Sequence, residues 1–292
     1  MTSRTEKNKK QSDNIIKEEK KNKNKKRNII IITILVILIT LFISLYSYMR
    51  FIATSGLIVK EYSLSYNNLP NEFDGLKIIQ IGKLYYGSTI NESELDNIIK
   101  KINSIKPDII IFTGELLSEE HIKNQTESES LIASLNKLEA TIGKYAVLSS
   151  NDKSIANNIM NNTDFSILED NYELIYYKGM IPIMLTGIKS NNIDNAYSYY
   201  NEENSNKNIF NITITSDKNL IDQITKKNYK PNIIMTNDNG SLIKIPFIDD
   251  YKEKYIINEI DVFVSSGLGT DKYELRFFNR PSINFYRINK SN

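Results

Sequence analysis

Ile29 to Met49 is a run of 21 residues without a single charge. At about 1.5 Å per residue, a helix of that length reaches roughly 30 Å, the thickness of a bilayer's hydrocarbon core. Tyr46 and Tyr48 stand near one end, where interfacial aromatics belong; Lys20, Lys21, Lys23, Lys25, Lys26 and Arg27 crowd the other. Positive flanks stay cytoplasmic, so the pattern predicts a single-pass protein of the cell membrane, N-terminus inside and everything after Arg50 outside. A cleaved signal peptide is the rival reading, but its apolar region runs to only about 7–15 residues, and Ala53-Thr54-Ser55-Gly56 makes a poor cleavage site. The lipid bilayer, met through Ile29–Met49, is the first expected partner.

Charge divides the chain at the same place. Residues 1–28 hold eleven Lys/Arg against four Asp/Glu, a local +7, and the rest holds 26 against 31, a net −5. The basic balance of the whole chain therefore argues for a solvated cytoplasmic tail, disordered by composition, and not for nucleic-acid binding. The absence of cysteine excludes disulfides, thiolate catalysis and Cys-based metal sites. A His-rich metal cluster cannot be assembled from His121 alone, and His121 reads as an exposed loop residue beside Glu119 and Glu120.

Past a linker at 50–59, residues 60–292 read as one α/β domain. Leu76–Ile81, Ile109–Thr113 and Tyr145–Leu148 are short apolar runs suited to buried strands. Between the first two, Leu95, Ile98, Ile99, Ile102 and Ile105 recur at helical spacing, with Thr89 and Glu92 as a capping box and Pro107 beyond the end. Leu131, Ile132, Leu135 and Leu138 mark a second helix. Further strands are expected at Ile181–Ile188, Phe210–Thr215, Ile233–Thr236, Ile243–Ile245, Val262–Val264 and Ile283–Tyr286, with Ser190–Asn208 as a surface insertion. In such sheets chemistry gathers beyond the carboxyl ends of the strands. That points to five loops: Gly82–Tyr85, Gly114-Glu115, Ser149–Asp152, Thr215–Asp217 and Thr236–Gly240.

Those loops, in that order, resemble the calcineurin-like metallophosphoesterases, most of all their membrane-associated bacterial branch, over roughly residues 60–290. Phe73-Asp74-Gly75-Leu76-Lys77-Ile78 resembles the lead-in to the first motif, and Lys106-Pro107-Asp108 with Phe112-Thr113-Gly114-Glu115-Leu116 resembles the second. Gly143–Leu148 precedes the third and Ile245-Pro246-Phe247 follows the fifth. Ser266-Gly267-Leu268-Gly269-Thr270 and Arg276–Pro281 resemble the branch's C-terminal signature. The resemblance implies a four-layer α/β/β/α sandwich. For active members it also implies two divalent metals, held by Asp, His and Asn, that activate water against a phosphoester.

Carried over position by position, the ligands are missing. Lys83 and Tyr85 stand where the family has Asp and His, and Glu115 where it has Asp. Ser150 and Asn151 replace Asn and His, Ser216 replaces a His, and Asn237 and Asn239 replace the last two. An amide is a weak ligand beside imidazole, and the Lys83 ammonium brings a positive charge to a cation's place. The expectation is a catalytically inactive protein with no metal and no cofactor, which binds an envelope ligand or protein or serves as a scaffold. The alternative is an active phosphoesterase with one hard cation (Mg, Mn or Ca) among Glu115, Asp152, Asp217 and Asp238. Lys83 either pairs with Glu115 or points to water, and Glu115 and Asp152 are otherwise surface acids. If the pair forms, Glu115→Gln should cost stability and Asp238→Asn little.

Overall fold

The computed structural model describes residues 4–118, 125–152, 154–190, 192–200, 208–227, 229–238, 243–245 and 252–291. The chain divides into two units, Met1–Met49 and Arg50–Asn292. The first is a helix, α1 (Arg4–Ser47), and a π-helical turn over Tyr48–Ile52 follows it. Among the described residues this is the one helix long and apolar enough to cross a membrane, and its apolar side chains are exposed along the run. The basic tail, expected to be disordered, is helical from Arg4. Its Lys and Glu are good helix formers, and a helix nucleated in the apolar run extends cheaply.

The second unit alternates strands and helices. In order they are β1 (Ile58–Tyr66), β2 (Leu76–Gly82), α2 (Glu92–Ile105), β3 (Ile109–Thr113), α3 (Gln125–Asn136), β4 (Gly143–Val147), α4 (Ser154–Asn161), β5 (Ser166–Ile167) and β6 (Asn171–Ile175). There follow β7 (Ile183–Ile188), α5 (Ile193–Ala196), β8 (Asn211–Thr215), α6 (Ile221–Lys226), β9 (Ile233–Asn237), β10 (Lys254–Ile257), β11 (Ile260–Ser265) and β12 (Ser282–Lys290). They build two six-stranded mixed sheets, ordered β1-β12-β2-β3-β4-β5 and β10-β11-β9-β8-β7-β6.

Strand periodicity sorts the core into layers. Ile79, Ile110 and Phe112 face α2, α3 and α4 with Ile98, Ile102, Leu131 and Leu135. Their neighbours Ile78, Ile109 and Ile111 face the second sheet, meeting Leu185, Ile214, Met235 and Phe263. On that sheet's far side Met184, Ile234 and Val262 pack under Ile193, Ala196, Ile221 and Ile224 of α5 and α6. The layers are therefore helix, sheet, sheet, helix. A strand such as β3 is covered on both faces, which is why all five of its residues are buried and its sequence is apolar without alternation.

Local departures have local reasons. Helix α2 is capped by Asn91, whose Oδ1 accepts the Glu94 amide at 3.0 Å, and not by Thr89, whose hydroxyl lies 3.3 Å from that of Thr270. Ser190–Asn208 is not merely a surface insertion: one helical turn puts Ile193, Ala196 and Tyr197 on the same face and buries all three. The strand expected at Ile243–Ile245 reduces to a single bridge from Ile243 to Phe277. The edge strands β1, β6 and β10 escape the apolar-run signal because they are only half buried. Strand β1 takes in Ile58 and Val59, inside the stretch read as linker.

The seam between the sheets is aromatic. The Tyr62 ring lies 4.8 Å from that of Phe263 and 5.4 Å from that of Tyr286. Burial, and then Glu253, push the Tyr62 phenol up to about 12, and burial raises Tyr66, Tyr145 and Tyr197 as well. An acid raised in the native state carries no penalty below its unfolded value near 10 and costs stability as pH climbs from about 10 to about 12. The urea midpoint is expected to fall across that window, and less steeply in Tyr62→Phe. Equal slopes in the two proteins would exclude the assignment.

Candidate functional site

The five loops do converge. Lys83 donates its amide to the Thr113 carbonyl, Gly114 to Val147, and Asp238 to Ser265, while the Ser216 hydroxyl lies 3.5 Å from the Leu148 carbonyl. The first loop is strained: Lys83 and Tyr85 take left-handed φ values of 43° and 45°. Such residues cost about 1–3 kcal/mol each and persist only when their surroundings hold them. Here the loop is held by Tyr85 and Tyr86 amides on the carbonyls of Glu115 and Leu116, and by Leu268 and Gly269 amides on the Lys83 carbonyl.

Glu115 is the centre of the crevice. The Lys83 ammonium lies 3.5 Å from its Oε2, with the two side chains 13% and 15% exposed. The Tyr85 hydroxyl donates to the same oxygen at 2.9 Å, and the Asn151 amide approaches Oε1 at 3.4 Å. Burial, then Glu115, hold the Tyr85 phenol far above its ordinary range, so it stays a neutral donor. Of the family's ligand positions, three thus meet as Lys83, Tyr85 and Asn151 around a fourth, Glu115. Ser150 of the same loop is exposed.

Asn237 does something different. It is fully buried, gives Nδ2 to the carbonyls of Thr113 and Gly114 at 2.7 and 2.5 Å, and receives the Thr113 hydroxyl on Oδ1 at 2.8 Å. A Cβ on Gly82 would come within 2.2 Å of that Oδ1, so the amide fills the space a side chain there would need. Asp152 is likewise turned inward: its carboxylate accepts the amides of Leu116 and Ser149, each at 2.9 Å. Burial raises its pKa, partly offset by those two N–H groups.

The second sheet's loops hold their own cations. Asp238 is buried and paired with Lys218 at 2.8 Å and with Lys244. Asp217 accepts the Asn219 amide at 2.9 Å, capping a short 3₁₀ turn over Lys218–Leu220. Nothing local in the sequence marks Lys218 or Lys244 beyond a lysine six residues past Asp238. Arg276 is fully buried and gives Nη2 to the carbonyls of Gly267, Leu268 and Gly269, a role the C-terminal phrase did not disclose. Asn239 and His121 lie outside the described residues.

Among the described residues, this donor set does not fit two divalent cations. Glu115 spends its oxygens on an ammonium, a phenol and an amide, and Asn237 spends its own on the protein. Glu115 is held by Lys83 and Tyr85, Asp152 by two backbone amides and Asp238 by two lysines, and among the described residues no three His, Cys, Asp or Glu side chains form a metal-holding group. At an effective dielectric of about 20, unit charges 4 Å apart repel by about 4 kcal/mol, and a dication beside Lys83 doubles that.

No protein-family profile matches the chain. It is similar to the uncharacterized metallophosphoesterase YkuE of Bacillus subtilis, 22% identical over 263 residues, covering 85% of this chain and 91% of that one. A stretch of 87 residues is 30% identical to the UDP-2,3-diacylglucosamine pyrophosphatase LpxG of Chlamydia muridarum, covering 29% of this chain and 26% of that protein. Another of 94 residues is 22% identical to a transmembrane protein with metallophosphoesterase domain from Danio rerio, covering 32% and 21%. Two of these relatives are named for a metallophosphoesterase, and one of those carries the domain in a transmembrane protein.

Removing one partner of a sheltered ion pair leaves the other uncompensated. Glu115→Gln is expected to lower unfolding free energy by about 2–3 kcal/mol. Asp238→Asn, expected from sequence to be nearly silent, should cost about as much, because Asp238 is buried against two ammonium groups. Denaturant midpoints check both; wild-type values would refute the two pairings.

Proposed function

We propose that this relative of the calcineurin-like metallophosphoesterases is a membrane-anchored pseudo-phosphoesterase that binds or scaffolds at the cell envelope. Residues 1–28 form a cytoplasmic basic tail, 29–49 the span, 50–59 a linker and 60–292 an extracytoplasmic domain. The observation that carries the reading is the Lys83 ammonium 3.5 Å from Glu115 in the heart of the crevice. A protein cation stands there in place of a metal.

The rest of the crevice supports the same reading. Asn151 exchanges no proton in the neutral range, so it cannot serve as a general acid for a leaving alkoxide. Asn237 is committed to backbone carbonyls. The scaffold is kept while the chemistry is lost, which favours a role for the surface itself, toward an envelope ligand or protein and not a nucleic acid.

Purified full-length protein is expected to carry less than one equivalent of divalent metal and to leave a chromogenic phosphodiester unhydrolysed with Mn²⁺ present. Turnover that disappears in Glu115→Ala or Asp152→Ala would overturn the proposal. It would instead favour one cation held by oxygen ligands from Glu115, Asp152, Asp217 and Asp238.

A further inference from the structure

The segment after the apolar run and the C-terminal signature loop form one patch. Arg50 is ion-paired with Glu274. The Arg280 guanidinium donates to the Ser55 carbonyl at 3.1 Å and packs where a side chain on Gly56 would stand. Residues 50–56 and 272–280 are thus tied at two points. From the first project Phe51 and Ile52, 65% and 60% exposed; from the second project Tyr273 and Phe278, 69% and 60% exposed. Lys272 and Arg280 flank them.

Phe278 shows that this exposure is built in. Its φ is 50°, a conformation in which a bulky side chain is an outlier. The ring touches that of Phe277, with centroids 4.3 Å apart, yet stays largely in solvent. The domain holds a phenylalanine in a strained backbone and gains little burial from it. Aromatic rings beside cations are the chemistry of a bilayer's interfacial zone.

We propose that this patch seats on the lipid surface, with Phe51, Ile52, Tyr273 and Phe278 dipping among the headgroups. The occupant follows from the chain itself: the apolar run ends at Met49, one residue before the patch begins. The proposal rests on the reading of Ile29–Met49 as a membrane span. It deepens the function proposed above, because Gly267–Gly269, which Arg276 of the same loop holds, pack on Lys83 and Leu84 of the crevice. The crevice then opens beside the membrane surface, and its ligand is one presented there.

The chain contains no tryptophan, so single substitutions give unambiguous depth probes. The full-length protein is reconstituted into vesicles of equal phosphatidylcholine and phosphatidylglycerol, with or without mid-chain bromination. Phe278→Trp and Tyr273→Trp are expected to emit at shorter wavelength than Met180→Trp and to lose about twofold in intensity to the brominated lipid. Met180 is 89% exposed and follows Gly179, which abuts Glu72, beyond the far end of β1. That strand's nine residues separate the two ends by roughly 30 Å. Phe42→Trp reports the span itself. If Phe42→Trp is quenched and the patch probes behave like Met180→Trp, the patch proposal is wrong and the span stands. If Phe42→Trp is also unquenched, both are wrong.

Discussion

The carboxyl ends of the two sheets meet across buried amides. Gln80 gives Nε2 to the Thr113 hydroxyl and the Thr236 carbonyl, at 3.2 and 3.0 Å, and takes the Tyr286 hydroxyl on Oε1 at 2.7 Å. Asn237 ties β9 to the end of β3 in the same way. A buried amide left without partners costs about 1–3 kcal/mol, so these groups hold only one register. The loops after β2, β3 and β9 start from that floor. The Gly82 backbone can approach it because it carries no side chain, and Gly114 likewise passes within 2.5 Å of the Ser149 amide, measured from where a Cβ would sit.

On both sides of the crevice a sheltered carboxylate meets the protein's own ammonium groups. Glu115 has Lys83, and Asp238 has Lys218 and Lys244. Two carboxylates in such sheltered places need compensation, and the chain supplies it from its own side chains. The family resemblance singled out only Lys83; Lys218 and Lys244 pair a second carboxylate on the other sheet's side.

Much of this was legible in the primary structure, and the exceptions have physical causes. Doubly covered strands such as β3 announce themselves as apolar runs, and the order of five loops was enough to locate the crevice. At Lys83 the sequence leaves two readings open, pairing with Glu115 or pointing to water, and the ammonium 3.5 Å from Oε2 selects the pair. What stayed hidden depends on distance in space. Lys244 and Asp238 are close in sequence, but only burial makes their pairing matter. Asn237 sits at a replaced ligand position in the sequence, and its role as a strut between sheets emerges only when Gly82 is seen against it. Thr89 and Asn91 both offer a local capping pattern, and the contact with Thr270, far along the chain, draws the Thr89 hydroxyl elsewhere.

One guanidinium, that of Arg276, holds three successive carbonyls, and Gly269 leaves no room for a side chain against Leu84. Those three contacts share a single anchor, so they come and go together. That wall of the crevice therefore acts as a stiff ledge. A molecule set against it would meet fixed contours and not a loop that remoulds on arrival.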